Sequence, residues 1–274
     1  LLIEAESKGY TTVKSLNQFK SLSKTDVPVI GLFSKNHMSY ELERDPQKEP
    51  SLGHMVKKAL ELIGDHEDGF ILIVEGSRID HAGHANDAAA HLQDIIAYDK
   101  AVGAALKFAK ENPKTLIISV SDHETGGLSV GQGPIENLKN VTLSAKNITN
   151  LVKGGLPITE AFSTYAGITD LTPSESYYIL ENPLVNLATD IRLARVISWR
   201  HGLNWGSIDH SAVDVNLYTY GPGAKKFKGL TENSDVGNII IKLFRFKPDQ
   251  RKKVNLKRLT QDRKLPFRLE SPRD

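Results

Sequence analysis

One stretch constrains this chain more than any other: Gly69 to His91, which reads GFILIVEGSRIDHAGHANDAAAH. Phe70 to Val74 is an unbroken apolar run, the pattern of a strand buried on both faces. Acidic and imidazole side chains follow at once, at Glu75, Asp80, His81 and His84. AlaAsnAspAlaAlaAlaHis then opens an Ala-rich helix, with Leu92, Ile95, Ile96, Val102 and Leu106 at helical spacing. Strand, ligand-bearing turn and helix in that order suit an α/β sheet, where functional groups gather at the carboxyl ends of strands. Gly83 argues for a turn rather than a helix around Asp80 and His84.

Two further units repeat the logic. Thr115 to Val120 (TLIISV) is another apolar, β-branched run and ends in SDHETGG, residues 121 to 127. HSAVDV, starting at His210, leads into the alternating NLYTYG. Three strand-associated turns therefore offer Asp, Glu and His. A zinc site with an open position takes three nitrogen or oxygen ligands, whereas a harder cation prefers oxygen alone. The donor supply by itself fits more than one metal. The chain has no cysteine, which excludes disulfides and thiolate sites but leaves the compartment open. Asp122 and His123 are neighbours, and in an ideal strand they would face opposite ways. Both reach one metal only where the strand breaks into a turn, consistent with Gly126 and Gly127 just after.

The 274 residues suit one large α/β domain, with 39% apolar and 25% charged residues. No apolar run approaches the roughly 20 residues of a membrane span. A helix over Leu1 to Lys8 stopped by Gly9, a strand at Tyr10 to Val13, and a brief helix capped by Ser15 open the chain. A buried strand follows at Val27 to Phe33, then a helix from Ser51 through Ile63. This alternation predicts a largely parallel sheet with helices on both faces. Residues 1–130 read as the core segment with the ligand turns, and 131–195 as a polar accessory insertion of weak periodicity. Residues 196–245 read as a return to the core, and 246–274 as a basic tail. From Arg245 onward, eleven Lys or Arg oppose four Asp or Glu, so a net charge of +2 for the whole chain leaves −5 for the preceding 244 residues. Such a tail is most often a solvated terminus; it also suits a polyanion, which steep salt dependence of binding would reveal. No specific nucleic-acid partner is expected. The opening LeuLeuIleGluAlaGlu carries neither Met nor a secretory leader and reads as a fragment of a longer precursor. Asn140-Val-Thr and Asn147-Ile-Thr are glycosylation sequons.

VEGSRIDHAGH, SDHETGG, and HSAVDV followed by YGPGA together resemble the C-terminal half of the alkaline phosphatases. The resemblance runs in order from about Leu1 to about Phe244 and is weaker between Gly131 and Ser198. It implies two zinc ions and one magnesium ion. Asp80, His84 and His210 would hold the first zinc, Asp122 and His123 the second, and Glu75 the magnesium. His81 would sit near bound phosphate and act through water. The plainer readings are a structural ion pair for Glu75, a capping or surface role for His210, and a merely supporting histidine at His81. His37, His54, His66, His91 and His201 match no ligand position, and Thr125 and Glu124 fit only behind the ligands.

The implied reaction is phosphomonoester hydrolysis through a phosphorylated serine, clamped by two metals about 4 Å apart. The nucleophile motif, an Asp-Ser followed by small residues and Thr, is absent from these 274 residues. So are the family's bridging aspartate, its magnesium-ligating threonine and its phosphate-clamping arginine. The chain alone is thus expected to be inactive. Its expected partners are a phosphomonoester, the N-terminal half of the same fold, and a second copy in a homodimer; the family usually works outside the cytoplasm, secreted, periplasmic or membrane-anchored. The alternatives are a non-catalytic, half-length zinc-binding relative and another hydrolase or mutase of the same superfamily.

Overall fold

A computed structural model describes residues 1–245; the expected tail over 246–274 lies outside the described residues. The chain divides into two compact units, Leu1–Ala224 and a second that begins at Lys225.

In the first unit, α1 (Leu2–Ser7) stops at Gly9, whose φ of +85° suits glycine, and β1 (Thr11–Val13) follows. Ser15 caps α2 (Leu16–Ser21) in a capping box completed by Gln18. β2 (Val29–Gly31) pairs in parallel with β1. Ser51 caps α3 (Leu52–Ile63), accepting from the His54 amide. α4 (Ser77–His84) and α5 (Ala88–Glu111) come next, with α3 packed along α5. Three strands follow: β3 (Ile117–Val120), β4 (Glu124–Thr125) and β5 (Leu128–Val130). The chain then turns helical through α6 (Ala145–Lys153), α7 (Ile158–Ala161), α8 (Pro173–Leu180) and α9 (Thr189–Arg200). β6 (Leu203–Trp205), β7 (His210–Ser211) and β8 (Leu217–Tyr220) complete the unit. The second unit contains α10 (Asn233–Leu243).

The architecture is α/β. Besides the parallel β1–β2 pair, the ladders among the described residues are antiparallel: β3 with β8, β4 with β7, and β5 with β6. Phe70 to Val74, expected as a strand buried on both faces, enters none of these ladders. Phe70, Leu72 and Val74 are half-buried, while Ile71 and Ile73 are 56% and 88% exposed. The run has the period of a strand, with one face half-buried and the other exposed, and its backbone edges pair with no strand among the described residues.

The turn expected around Gly83 is instead the last part of α4. A helix puts residues four apart on one face, so the separation of Asp80 and His84 is that of the helix itself. Gly83 is there for another reason: it is buried, and a Cβ on it would lie 3.0 Å from the Thr125 side chain. The close approach of α4 to β4 depends on that missing carbon.

The interval expected as a polar insertion carries much of the buried core. Leu138, Ile148, Phe162 and Ile179 pack in one cluster with Leu193, Val196 and Ile197 of α9 and with Ala88 and Ala89 at the start of α5. Its helices are short, which hides their period from a long sequence window. Asp87 ties this layer to α5: it caps α5 by accepting from the Ala90 amide and also accepts from the Ala145 amide at 2.7 Å. On α5 the buried face is alanine, Ala88 to Ala90, Ala97, Ala101 and Ala109, while Leu92, Ile95 and Ile96 stay partly exposed. No helix of the described residues is long and apolar enough to cross a membrane.

Candidate metal centre

α4, the β3–β4 turn and β7 bring the ligand motifs together. Asp80 Oδ1 lies 3.4 Å from His84 Nε2 and 3.5 Å from His210 Nε2. The two Nε2 atoms are themselves 3.0 Å apart. Ligand atoms 2.0–2.1 Å from a tetrahedral zinc are about 3.3 Å from one another. The spacing of these three therefore fits such an ion.

Their protonation fits as well. His84 Nδ1 is 2.5 Å from the Ile208 carbonyl, which only accepts, so the ring proton sits on Nδ1. That leaves a lone pair on Nε2, aimed at Asp80 and His210. Partial burial pushes the Asp80 carboxyl up, but the Thr125 hydroxyl and the imidazoles of His84, His210 and His123 outweigh it and hold it below the usual carboxylate range.

His123 stands at the edge of this trio. Its ring stacks on His210 at 3.5 Å between centroids, and one ligand atom each from Asp80, His123 and His210 lie within 4.8 Å of one another. The structure thus draws one residue of the second expected set against the first. Thr125 orders both: its hydroxyl donates to Asp80 Oδ1 at 2.6 Å and is 3.2 Å from His123 Nδ1. A hydroxyl has one proton to give, so towards His123 it accepts, and His123 carries its proton on Nδ1. His123 Nε2 is then bare and faces Asp122 Oδ2 at 3.2 Å. Two lone-pair atoms at that distance repel unless a proton or a metal cation lies between them. Asp122 itself is 85% exposed.

The strand does break where sequence requires it: β3 ends at Val120 and Gly126 takes φ +90°. A Cβ at Gly126 would lie 2.7 Å from the Trp205 ring and 2.8 Å from the Gly83 carbonyl. Behind the turn, Glu124 accepts from the Gly127 amide and the Ser211 hydroxyl, fastening β4 to β7.

Glu75 is not drawn into the cluster. It ends the extended segment, exposed, with no hydrogen bond or ion pair among the described residues. His81 stands apart from the ligands in its contacts: Arg78 Nη1 donates to its Nδ1 at 3.3 Å, and the His37 ring tilts against it at 4.4 Å. Burial first, then the charges of Arg78 and His37, depress its pKa. Because Arg78 only donates, the His81 proton is on Nε2. Arg78 in turn lies over the Tyr40 ring at 3.7 Å. His91 packs edge-on against Trp205, and His201 is buried against the Ile197 carbonyl.

Sequence reading missed Arg78 and the ring contact of His37, since neither motif spacing nor periodicity marks them. It also missed Asn86, although an Asn just past a helix end is a known left-handed stop.

The family model described as "Alkaline phosphatase" matches residues 1–246. Over 249 residues the chain is 32% identical to alkaline phosphatase 4 of Bacillus subtilis, covering 88% of this chain and 53% of that protein. Over 258 residues it is 33% identical to alkaline phosphatase of Schizosaccharomyces pombe, covering 86% and 48%. Among solved structures, the Thermus thermophilus alkaline phosphatase superposes with a TM-score of 0.78 at 29% identity, covering 89% of this chain and 57% of that one. The cold-active enzyme from Shewanella sp. gives 0.78 at 27% identity, covering 89% and 61%. The chain spans about half the length of these curated relatives.

Proposed function

This chain belongs to the alkaline phosphatase family, and from that premise we propose that it is the C-terminal half of a metal-dependent phosphomonoesterase. One observation carries the reading: Asp80, His84 and His210, from two distant parts of the chain, converge with their ligand atoms 3.0–3.5 Å apart. They form a complete protein ligand set for one zinc. Asp122 and His123 contribute to a second zinc, and Glu75 to a magnesium ion. Bound there, these cations supply the positive charge that offsets negative charge developing on a transferring phosphoryl group.

The chain's own residues prepare that arrangement. The Thr125 hydroxyl holds Asp80 ionised and fixes the His123 tautomer. The Ile208 carbonyl fixes the His84 tautomer. His81, neutral and presenting Nε2–H, offers a hydrogen bond to a phosphate oxygen or to an intervening water. The substrate is a phosphate monoester, whose dianion suits such a cationic centre.

The serine nucleophile belongs to the part of the relatives' length that these 274 residues do not span. Ser77 and Ser211 neighbour ligand positions, and neither is followed by the small residues of the nucleophile motif. The bare edge of Phe70 to Val74 supports pairing with that other half. Groups that act as a unit fail together, so the isolated chain is inactive.

The test is to load purified residues 1–274 with zinc and magnesium and to assay an aryl phosphate at alkaline pH. Turnover far below the typical enzyme median of about 10 per second, restored on adding the complementary N-terminal half, supports the reading. Turnover within about tenfold of that median by the chain alone defeats it. A second reading, a zinc-binding protein without catalysis, is favoured by the complete first ligand set inside this chain; it predicts zinc binding with no activity in either state.

A further inference from the structure

Between the two ligand-bearing segments sits a side chain that the metal chemistry does not use. Asn86 follows α4 with φ +51° and is fully buried. Its amide nitrogen donates to the Gly83 carbonyl at 2.9 Å and to the Ser207 carbonyl at 2.8 Å. Its Oδ1 accepts from Arg195 Nε at 2.9 Å, and its main-chain carbonyl, at 3.2 Å, shares the single Ser198 hydroxyl proton with the Ala194 carbonyl at 2.9 Å. Two carbonyls need donors and a guanidinium needs an acceptor, so the amide has only one permissible orientation.

The partners are well placed. Gly83 immediately precedes His84. Ser207 immediately precedes Ile208, whose carbonyl holds His84 Nδ1, and lies three residues before His210. Arg195 and Ser198 belong to α9, the helix around which the adjacent core packs. Trp205 Nε1 donates to the same Ser198 hydroxyl, anchoring the chain that leads into the His210 segment.

We propose that Asn86 is a positioning residue for the metal ligands His84 and His210, and that through Arg195 and Ser198 it makes their separation depend on where α9 sits. The proposal rests on reading Asp80, His84 and His210 as a metal site. Outer partners that orient ligands typically tune metal affinity by 10–100-fold. Asn86 acts on two ligands at once, by clamping the backbone beside each. Its replacement leaves the part-buried Ser207 carbonyl and the Arg195 guanidinium without these partners, while the Gly83 carbonyl keeps the Asn86 main-chain amide.

The experiment measures zinc affinity by competition with a chelator, and the visible spectrum of the cobalt-substituted site, in the full chain. Asn86→Gly keeps the positive φ and removes only the amide; Asn86→Asp keeps the shape but turns a carboxylate oxygen towards a carbonyl. Both should lose roughly 10–100-fold in zinc affinity, with an altered cobalt spectrum. Arg195→Met and Ser198→Ala leave Asn86 in place, keep the fold if the first two do not, and should each weaken zinc several-fold. Zinc affinity within twofold of the parent in these α9 variants, with an unchanged cobalt spectrum, would overturn the proposal even if the melting temperature fell. Asp80→Asn runs in parallel. If it abolishes zinc binding while the Asn86 and α9 variants do not alter it, the positioning role fails and the metal site stands. If it too leaves zinc untouched, both fail.

Discussion

The Nε2 atoms of His84 and His210 lie 3.0 Å apart although 126 positions separate the two residues. Two neutral imidazoles this close either share one N–H···N hydrogen bond or turn both lone pairs to a cation. Replacing either with Ala is therefore expected to remove about one equivalent of zinc, the stoichiometry of one such site. Elemental analysis of the two variants checks it, and full occupancy in both would mean that the pair is structural.

Thr125 joins Asp80 to His123 through a single hydroxyl. Thr125→Val keeps the shape and removes the proton, so zinc affinity should fall by roughly 10–100-fold. Thr125→Ser keeps the hydroxyl and should restore most of it. Equal losses in the two variants, measured by chelator competition, would point to packing of the methyl group under Gly83 instead.

His81 is held by Arg78 and His37 rather than by the ligands. In an active form that includes the complementary half, His81→Ala should retain its metals and change kcat and inhibition by phosphate modestly. Loss of a zinc equivalent would place His81 among the ligands.

Glu175 and Arg200 tie the start of α8 to the end of α9 through two bonds of 2.5 and 2.7 Å. Arg200, with smaller help from the Thr172 cap, holds the Glu175 carboxyl down at about 2, against 4.5 for a free one. A depressed acid stabilises the fold fully above its unfolded value, and the benefit disappears as pH falls from about 4.5 through about 2. The pair is partly solvated, so screening limits its worth to about 1 kcal/mol. Glu175→Gln should lower the melting temperature at pH 7 and narrow its difference from the parent below pH 4. A constant difference across that range would rule the ion pair out as the cause.

Ile71 and Ile73 lie in no ladder, whereas Ile148, Phe162 and Ile179 are fully buried. Amide hydrogen exchange should be fast at the first two and slowest around the last three, since local opening costs least where few contacts are lost. Slow exchange at Ile71 and Ile73 in the isolated chain would show that their edge is covered by a second copy or another segment.

What the sequence by itself determined is local or depends on composition. The caps Ser15 and Ser51, the stop at Gly9, the helix after Asp87 and the break after Val120 are each written within a few residues, because they satisfy backbone groups of their own turn. The clustering of acidic and imidazole groups just after apolar runs was legible for the same reason, because it is written within each short segment. Tertiary structure decided the rest. α4, which carries Asp80 and His84, packs close to β4 because Gly83 leaves room for Thr125, a residue far along the chain. β3 took β8 as its antiparallel neighbour, and the run at Phe70 was left half-covered, because pairing depends on which edges meet. The polar-looking interval became core because its short helices close on α9, and Asn86 became a clamp because Ser207 and Arg195 arrive from more than 100 residues away. Such contacts carry no local period, and only the folded chain brings their two ends together.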